Sequence, residues 1–294
     1  MVSKDQKIWV AVAHIVLITL SALAILPFLL LIIASFTDDS VALLNGYSFF
    51  PEKLSLDAYR FIFAGASIYL KAYGVTVIVT VAGTVMNIFL TALTAYVLSK
   101  RRLPGVKIMN LLVIFTMLFN GGLVATYINY SNVFHIKDTL FALIVPNLMM
   151  NAFMIMLARN YFEHSIPEEI YESARIDGAS EFRVFTTIAM PLSVPILATI
   201  GLMGSIAYWN DWQNSLYYIN NKSLYSIQAV LNSINQAVSA LATMAGNSSV
   251  STAEIPTTTV RMAVAVVGIL PLIIVYPFFQ KYFAQGLVAG SVKG

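Results

Sequence analysis

The chain has no cysteine, which excludes disulfides, thiolate metal sites and a thiol nucleophile. It is nearly as short of charge. Asp, Glu, Lys and Arg make up 11% of its 294 residues, against about 25% in a soluble domain. So few ionic groups cannot wet an ordinary protein surface, so a soluble enzyme and a charged, disordered chain are both excluded. Histidine occurs three times, as His14, His135 and His164, which the apolar pattern places near a membrane face, in an external loop and in a cytoplasmic loop, so they are not expected to form one site. The net charge of +3 is too small to point to nucleic acid. Neither a G-x-x-x-x-G-K-[ST] phosphate loop nor H-E-x-x-H occurs. What is present is apolar: 59% hydrophobic residues and a mean hydropathy of +0.79, in long uncharged runs of the kind membrane proteins carry.

A bilayer core is crossed by roughly 20 apolar residues in helix. Six runs qualify, at about 8–36, 72–99, 108–130, 139–158, 192–212 and 262–279. The first is too long for a cleaved signal, whose apolar region is about 7–15 residues. The uncharged stretch 223–253 is not counted. Ser233, Asn235, Gln236, Asn247, Ser248 and Ser249 would be costly in hydrocarbon. It reads as an external loop with a short amphipathic helix at 227–241. With the N-terminus in the cytoplasm, eleven of the 17 basic residues fall inside and six outside. The short loop Lys100–Lys107 decides this, having four basic residues and no acid. The expectation is a single all-α transmembrane domain over 1–294 in a cell or inner membrane, with both termini cytoplasmic.

No Asp, Glu, Lys or Arg lies in the middle of any span, whereas ion-coupled carriers and pumps usually need such groups. Energy is therefore expected from another subunit. Neutral polar groups do occur there. Taken singly they read as interhelical hydrogen bonds, about 0.6 kcal/mol each. As a set, Asn87, Asn120, Tyr127, Asn147, Asn151, Tyr208, Trp209 and Asn210 suggest an uncharged path suited to a carbohydrate, through amide hydrogen bonds and aromatic faces, with Asn120, Tyr127, Asn147, Asn151, Tyr208 and Asn210 expected to line it.

The segment from Arg159 to Pro191 is the most informative. Ser165-Ile166-Pro167-Glu168 matches a capping box with Ser165 as N-cap. Glu168 and Glu169 suit the positive end of a helix and Arg175 the negative end. That helix is predicted to stop at Asp177-Gly178, where glycine permits a left-handed turn. Ser180 then caps a second helix that ends before Pro191. Ser173, Ala174, Gly178 and Ala179 are small enough for close approach by a partner.

E-S-A-R-I-D-G-A-S followed by I-A-M-P resembles the EAA loop of the permease subunits of binding-protein-dependent ABC importers. Glu172, Ala174, Asp177, Gly178, Ala179, Ile188 and Pro191 match; Ser173 and Met190 replace Ala and Leu. The C-terminal stretch Gln280–Gly294 is similar to the tail of MalG-type carbohydrate permeases. Gly286, Leu287, Gly290, Val292, Lys293 and Gly294 match there, while Val288 and Ser291 depart. The stretches 44–63 and Tyr208–Trp212 also resemble sugar permeases. Leu118–Leu123 looks like the LplC/YtcP-type subgroup, which is associated with complex glycans and oligosaccharides.

The resemblance implies a type I ABC importer permease fold with six transmembrane helices and a cytoplasmic coupling helix between spans four and five. Coupling to the ATPase would run through Glu172, Ser173, Ala174, Asp177, Gly178 and Ala179. The tail residues Gly286, Gly290, Lys293 and Gly294 would reach the ATPase interface. The implied partners are a second homologous permease, an ABC ATPase dimer, an extracellular sugar-binding protein, an oligosaccharide and membrane lipid, without nucleic acid. ATP and magnesium would belong to the ATPase, leaving this chain without catalytic residue, metal or cofactor. A peptide or polyamine importer stays open at this point, as does a secondary carrier or channel.

Overall fold

Helices account for nearly all the regular structure in the computed structural model, which describes residues 4–247 and 257–289. The only pairing between extended segments among these residues is an isolated antiparallel bridge between Thr37 and Leu54. The chain divides into two units, Met1–Ser67 with Leu231–Pro271, and Ile68–Val230 with Leu272–Gly294.

In the first unit, α1 (Lys4–Ser35) carries an apolar stretch of 28 residues with mean hydropathy 2.9. Its side chains are apolar on every face, from Trp9 and Ile15 to Leu26 and Phe28, and those from Ile8 to Leu29 are exposed, while Ala34 and Ser35 at its end are buried. A helix apolar all round is at home in lipid or protein, not water. Just beyond it, the Phe36 and Tyr59 rings stack 4.8 Å apart. The Thr37–Leu54 bridge and a 2.7 Å ion pair between Lys53 and Asp38 close the following loop at its base. That loop holds α2 (Asp39–Asn45); α3 (Asp57–Ala64) follows. Asp39 Oδ1 accepts the Thr258 and Thr259 amides at 2.9 Å each and the Thr259 hydroxyl at 3.1 Å. It thereby caps the first turn of α15 (Thr257–Ala289), where a helix has unpaired N–H groups and favours negative charge.

The second unit is built around α4 (Ala66–Ser99). Ala72, Thr76, Val79, Gly83, Asn87, Thr91 and Ala95 are buried at intervals of three and four residues, giving one stripe of small side chains. Small residues let helix backbones approach closely. At Gly83 the Tyr208 ring takes the room a side chain would occupy, since a Cβ there would lie 2.5 Å from that ring. Tyr208 belongs to α12 (Val194–Asn210), whose Gly201 and Gly204 meet Ile88 and Asn87 in the same manner.

The remaining helices are shorter than hydropathy implies. The predicted third span is two helices, α5 (Val106–Leu118) and α6 (Gly122–Ile128). They meet at a 117° bend, and α6 continues through a π-helical turn to Val133. Gly122 sits at φ +81°, and its amide donates to Asn120 Oδ1 at 2.8 Å, so the side chain competes with the helix for a backbone donor. The predicted fourth span holds only α7 (Phe141–Ile144), an unwound stretch 145–151, and the start of α8 (Ala152–His164). Then come α9 (Glu168–Ile176) and α10 (Glu181–Val184), a π-helical turn at Phe185–Ala189, and α11 (Met190–Leu192). The helices Glu181–Leu192 and Val194–Asn210 meet at 81°, with Ser193 in the corner. After α13 (Gln213–Tyr218), α14 (Ile227–Asn247) covers the expected amphipathic helix at 227–241 and extends beyond it.

By length and composition two helices among the described residues, α1 and α4, are able to cross a membrane, or four if each bent pair counts as one span. The expected run 262–279 lies within α15. Two local expectations are corrected. Ser165 is the C-cap of α8, and Pro167, in extended conformation, is the N-cap of α9 with no side-chain hydrogen bond. Glu168, freed of the capping box, turns to Lys100 and Arg175 instead. The helix begun by Ser180 does not end before Pro191 but runs to Leu192, because the π-helical turn absorbs the proline.

Candidate functional site

Two places in the second unit bring chemistry-bearing residues together. The first is the unwound stretch after α7. Its carbonyls are met by side chains from other helices. The Tyr208 hydroxyl donates to Ile144 O at 2.9 Å. Asn214 Nδ2 donates to Pro146 O at 3.1 Å. Asn87 Nδ2 donates to Leu148 O at 3.0 Å and Met149 O at 3.1 Å. All three side chains are buried. Backbone outside a helix lasts in an apolar setting only when its polar groups are paired. These residues therefore keep the stretch unwound, and Asn147 can stand at φ +61°, a region asparagine tolerates.

The interruptions in the third and fourth predicted spans border one cavity of about 680 Å³, with Asn120, Gly121, Tyr130, Asn147, Met149 and Asn151 among its lining residues. That is within the range of small-ligand sites, about 300–1,000 Å³. No charged residue lines it. Asn120 Oδ1 is taken by the Gly122 amide and Asn151 Oδ1 by the Met154 amide. Each amide thus leaves its Nδ2 to donate elsewhere. Of the six expected path residues, Asn120, Asn147 and Asn151 meet here. Tyr127, Tyr208 and Asn210 do not. Tyr127 stacks on Tyr218 at 5.8 Å and accepts from Lys137 Nζ at 2.9 Å. Tyr208 is 2% exposed and serves the unwound backbone. Asn210 Nδ2 bonds to Ile206 O of its own helix at 2.9 Å.

The second place is α9 and its turn. Ala179 N donates to Ala174 O and Gly178 N to Arg175 O, both at 3.0 Å, with Gly178 at φ +79°. This is a Schellman motif, which pairs the last carbonyls of the helix and calls for glycine at the left-handed position. The D-G-A triplet is therefore a helix stop. Glu172, Ser173, Asp177 and Gly178 lie exposed around it, and Ala174 and Ala179 pack on the core below. Ile176, which sequence reading passed over, is 85% exposed at the helix end. A large apolar side chain beside a rigid turn is suited to a partner's groove. Its only sequence signal is an isoleucine between Arg175 and Asp177.

Beneath the turn, α9 is tied to the end of α4 by charges that sequence reading had assigned to topology and helix dipoles. Lys100 pairs with Glu168 at 3.4 Å and Arg102 with Glu172 at 3.6 Å. Arg101 pairs with Glu163, which also holds Arg159 at 2.8 Å. Arg175 bridges Glu168 at 3.2 Å and Glu181 at 2.7 Å, and Glu181 accepts from Tyr96 at 3.0 Å. The Arg175 guanidinium holds the Glu181 carboxyl below its usual range. Desolvation pushes the Lys100 ammonium down, with Glu168 opposing. Among the described residues no group of His, Asp or Glu is placed to hold a metal ion. The expected tail contacts at Gly290, Lys293 and Gly294 lie outside the described residues. Gly286 falls within the backbone of α15.

Residues 95–288 match the family described as binding-protein-dependent transport system inner membrane component. Protein LplC of Bacillus subtilis (strain 168) is 39% identical over 273 residues, 93% of this chain and 90% of its own length. The polygalacturonan/rhamnogalacturonan transport system permease protein YtcP of the same organism is 40% identical over 280 residues, 95% of this chain and 96% of its own. A solved bacterial ABC transporter involved in the import of the acidic polysaccharide alginate contains a chain that superposes with a TM-score of 0.77 at 29% identity, covering 96% of this chain and 99% of that one.

Proposed function

Because the chain belongs to the family of binding-protein-dependent transport system inner membrane components, we propose that it is a permease subunit of an ATP-driven importer of oligosaccharides or complex glycan fragments. The cargo reaches it from an extracellular binding protein and is released inward by alternating access. ATP and magnesium are held by a partner ATPase dimer, so the chain has no catalytic residue or cofactor of its own. A second, homologous permease completes the pathway. The observation that carries this reading is α9 with its Schellman turn, in the stretch Glu172–Ala179 whose sequence resembles the EAA loop of such permeases. A short, firmly stopped helix with small and exposed side chains can be gripped and tilted by a closing ATPase.

The cargo assignment rests on the relatives named for polygalacturonan, rhamnogalacturonan and alginate. The cavity in which Asn120, Asn147 and Asn151 meet offers amide groups suited to sugar hydroxyls and no cation for a carboxylate. Six membrane crossings at about 8–36, 72–99, 108–130, 139–158, 192–212 and 262–279 accommodate the bent and unwound elements. The third and fourth then cross as interrupted spans, as substrate-binding spans in transporters often do. The basic Lys100–Lys107 loop, α9 and both termini lie in the cytoplasm, with Gly286, Gly290, Lys293 and Gly294 at the ATPase interface.

Affinity purification of the tagged chain from its native membrane tests the reading. The expected result is co-purification of a second permease and an ATPase. Glu172→Ala together with Gly178→Asp is expected to remove the ATPase and keep the permease. A chain that emerges alone from a mild extraction refutes the assignment.

A further inference from the structure

Lys100, the first residue after α4, is an ammonium almost sealed from solvent. Its side chain is 10% exposed. Its Nζ lies 3.4 Å from the centroid of the Tyr171 ring and 5.0 Å from that of Tyr96. Tyr171 comes from α9 and Tyr96 from α4, and their rings meet edge to face at 5.9 Å. The Tyr171 hydroxyl is buried with no hydrogen-bond partner, so it is the ring face, not the hydroxyl, that this position uses. Aromatic faces attract cations, more strongly when water is excluded.

The cage belongs to a closed circuit. Lys100 holds Glu168, Glu168 holds Arg175, Arg175 holds Glu181, and Glu181 accepts from Tyr96. Tyr96 lies one helical turn before Lys100, so the circuit returns to its starting helix. It contains two cations and two carboxylates, and its members line a cavity of about 680 Å³. The covalent route out of α9 is interrupted by comparison. It passes a left-handed turn at Gly178, a π-helical turn at Phe185–Ala189 and an 81° corner at Ser193. The circuit joins α9 to α4 directly, whereas the chain joins α9 to α12 only through these three interruptions.

We propose that the caged Lys100 is the joint that makes α9 and α4 move as one body, delivering the ATPase stroke to the second span. This rests on the reading of α9 as the coupling helix. Lys100 and Tyr171 are positioning residues, since neither need touch cargo or nucleotide.

The test uses the complete importer in lipid. The chain has no native cysteine, so Ile78→Cys on α4 and Glu169→Cys on α9, both at exposed positions, take a pair of spin labels cleanly. The interlabel distance is measured without nucleotide and after trapping with ATP and vanadate. With Lys100 and Tyr171 native, the distance is expected to stay constant. Tyr171→Phe keeps the ring face and Lys100→Arg keeps the cation, and both are expected to behave the same way. Lys100→Met and Tyr171→Leu are expected to shift it by ~2 Å or more on trapping, the scale of helix displacement in switching proteins, while ATP hydrolysis continues. A constant distance in Lys100→Met and Tyr171→Leu overturns the proposal, and so does a changing distance in the native background. Loss of the ATPase from those two variants alone would assign the cage to docking and overturn it as well. A native complex that lacks an ATPase sinks the coupling-helix reading itself, and the joint with it.

Discussion

Single positions show which sequence features have a mechanical cause. Gly178 has open space where a Cβ would sit and a φ of +79°, so its requirement is conformational, not steric. Gly178→Ala is expected to destabilise the turn by about 1 kcal/mol and leave the fold intact, as read by amide exchange at Gly178 and Ala179. Gly83 is the opposite case, where a methyl would strike the Tyr208 ring. Asp38 makes a third test. Lys53 beside it, with Ser40, holds its carboxyl down to about 2. A carboxyl depressed in the fold adds stability that is full above its unfolded value and lost as pH falls through the folded one. The loop clip should therefore hold from neutrality to about pH 4 and loosen from there toward about 2. Lys53→Met should bring the Asp38 titration back up, followed by carboxyl NMR. Intact clipping in acid after that substitution would contradict this account.

The elements show where reading stops and folding takes over. Hydropathy found α1 and α4 because each is one long apolar run, and the D-G-A stop was legible from glycine alone. Both interruptions escaped it. Asn120-Gly121-Gly122 was visible as a motif, but the bend depends on Asn120 taking the Gly122 amide. The unwound stretch depends on Asn87, Tyr208 and Asn214, which lie 61 to 68 residues away along the chain. Tyr208, expected on the sugar path, donates its hydroxyl to Ile144 O beside the unwound stretch. Ser165 was misread because the capping-box spacing was right and Pro167 had claimed the cap. The supports make a prediction. Asn87→Leu strands the carbonyls of Leu148 and Met149, and Tyr208→Phe strands that of Ile144. Each unpaired buried group costs about 1–3 kcal/mol. Both variants are expected to raise the half-saturating cargo concentration for uptake more than they lower the maximal rate. A change in maximal rate alone would argue against a supporting role.

At the scale of the whole chain, exposed apolar surface is the dominant feature. It rings α1 and continues into loops, with Phe50 at 91% and Leu44 at 84% exposure. Lipid can cover the former, and partner subunits are suited to the latter. The chain expressed by itself is therefore expected to unfold at lower temperature than in its assembly. A partner at 100 times its Kd adds about 2.7 kcal/mol. Tm measured with and without co-expressed partners checks this, and equal values would count against it. One tie has a bearing on how the molecule is made. Asp39 caps α15 through amides 219 and 220 residues later in the chain. The ribosome delivers Asp39 long before its donors exist, so this cap on α15 cannot form until Thr258 and Thr259 have been added. A product truncated before residue 258 would lack that cap, and with it this tie between the loop after α1 and the start of α15.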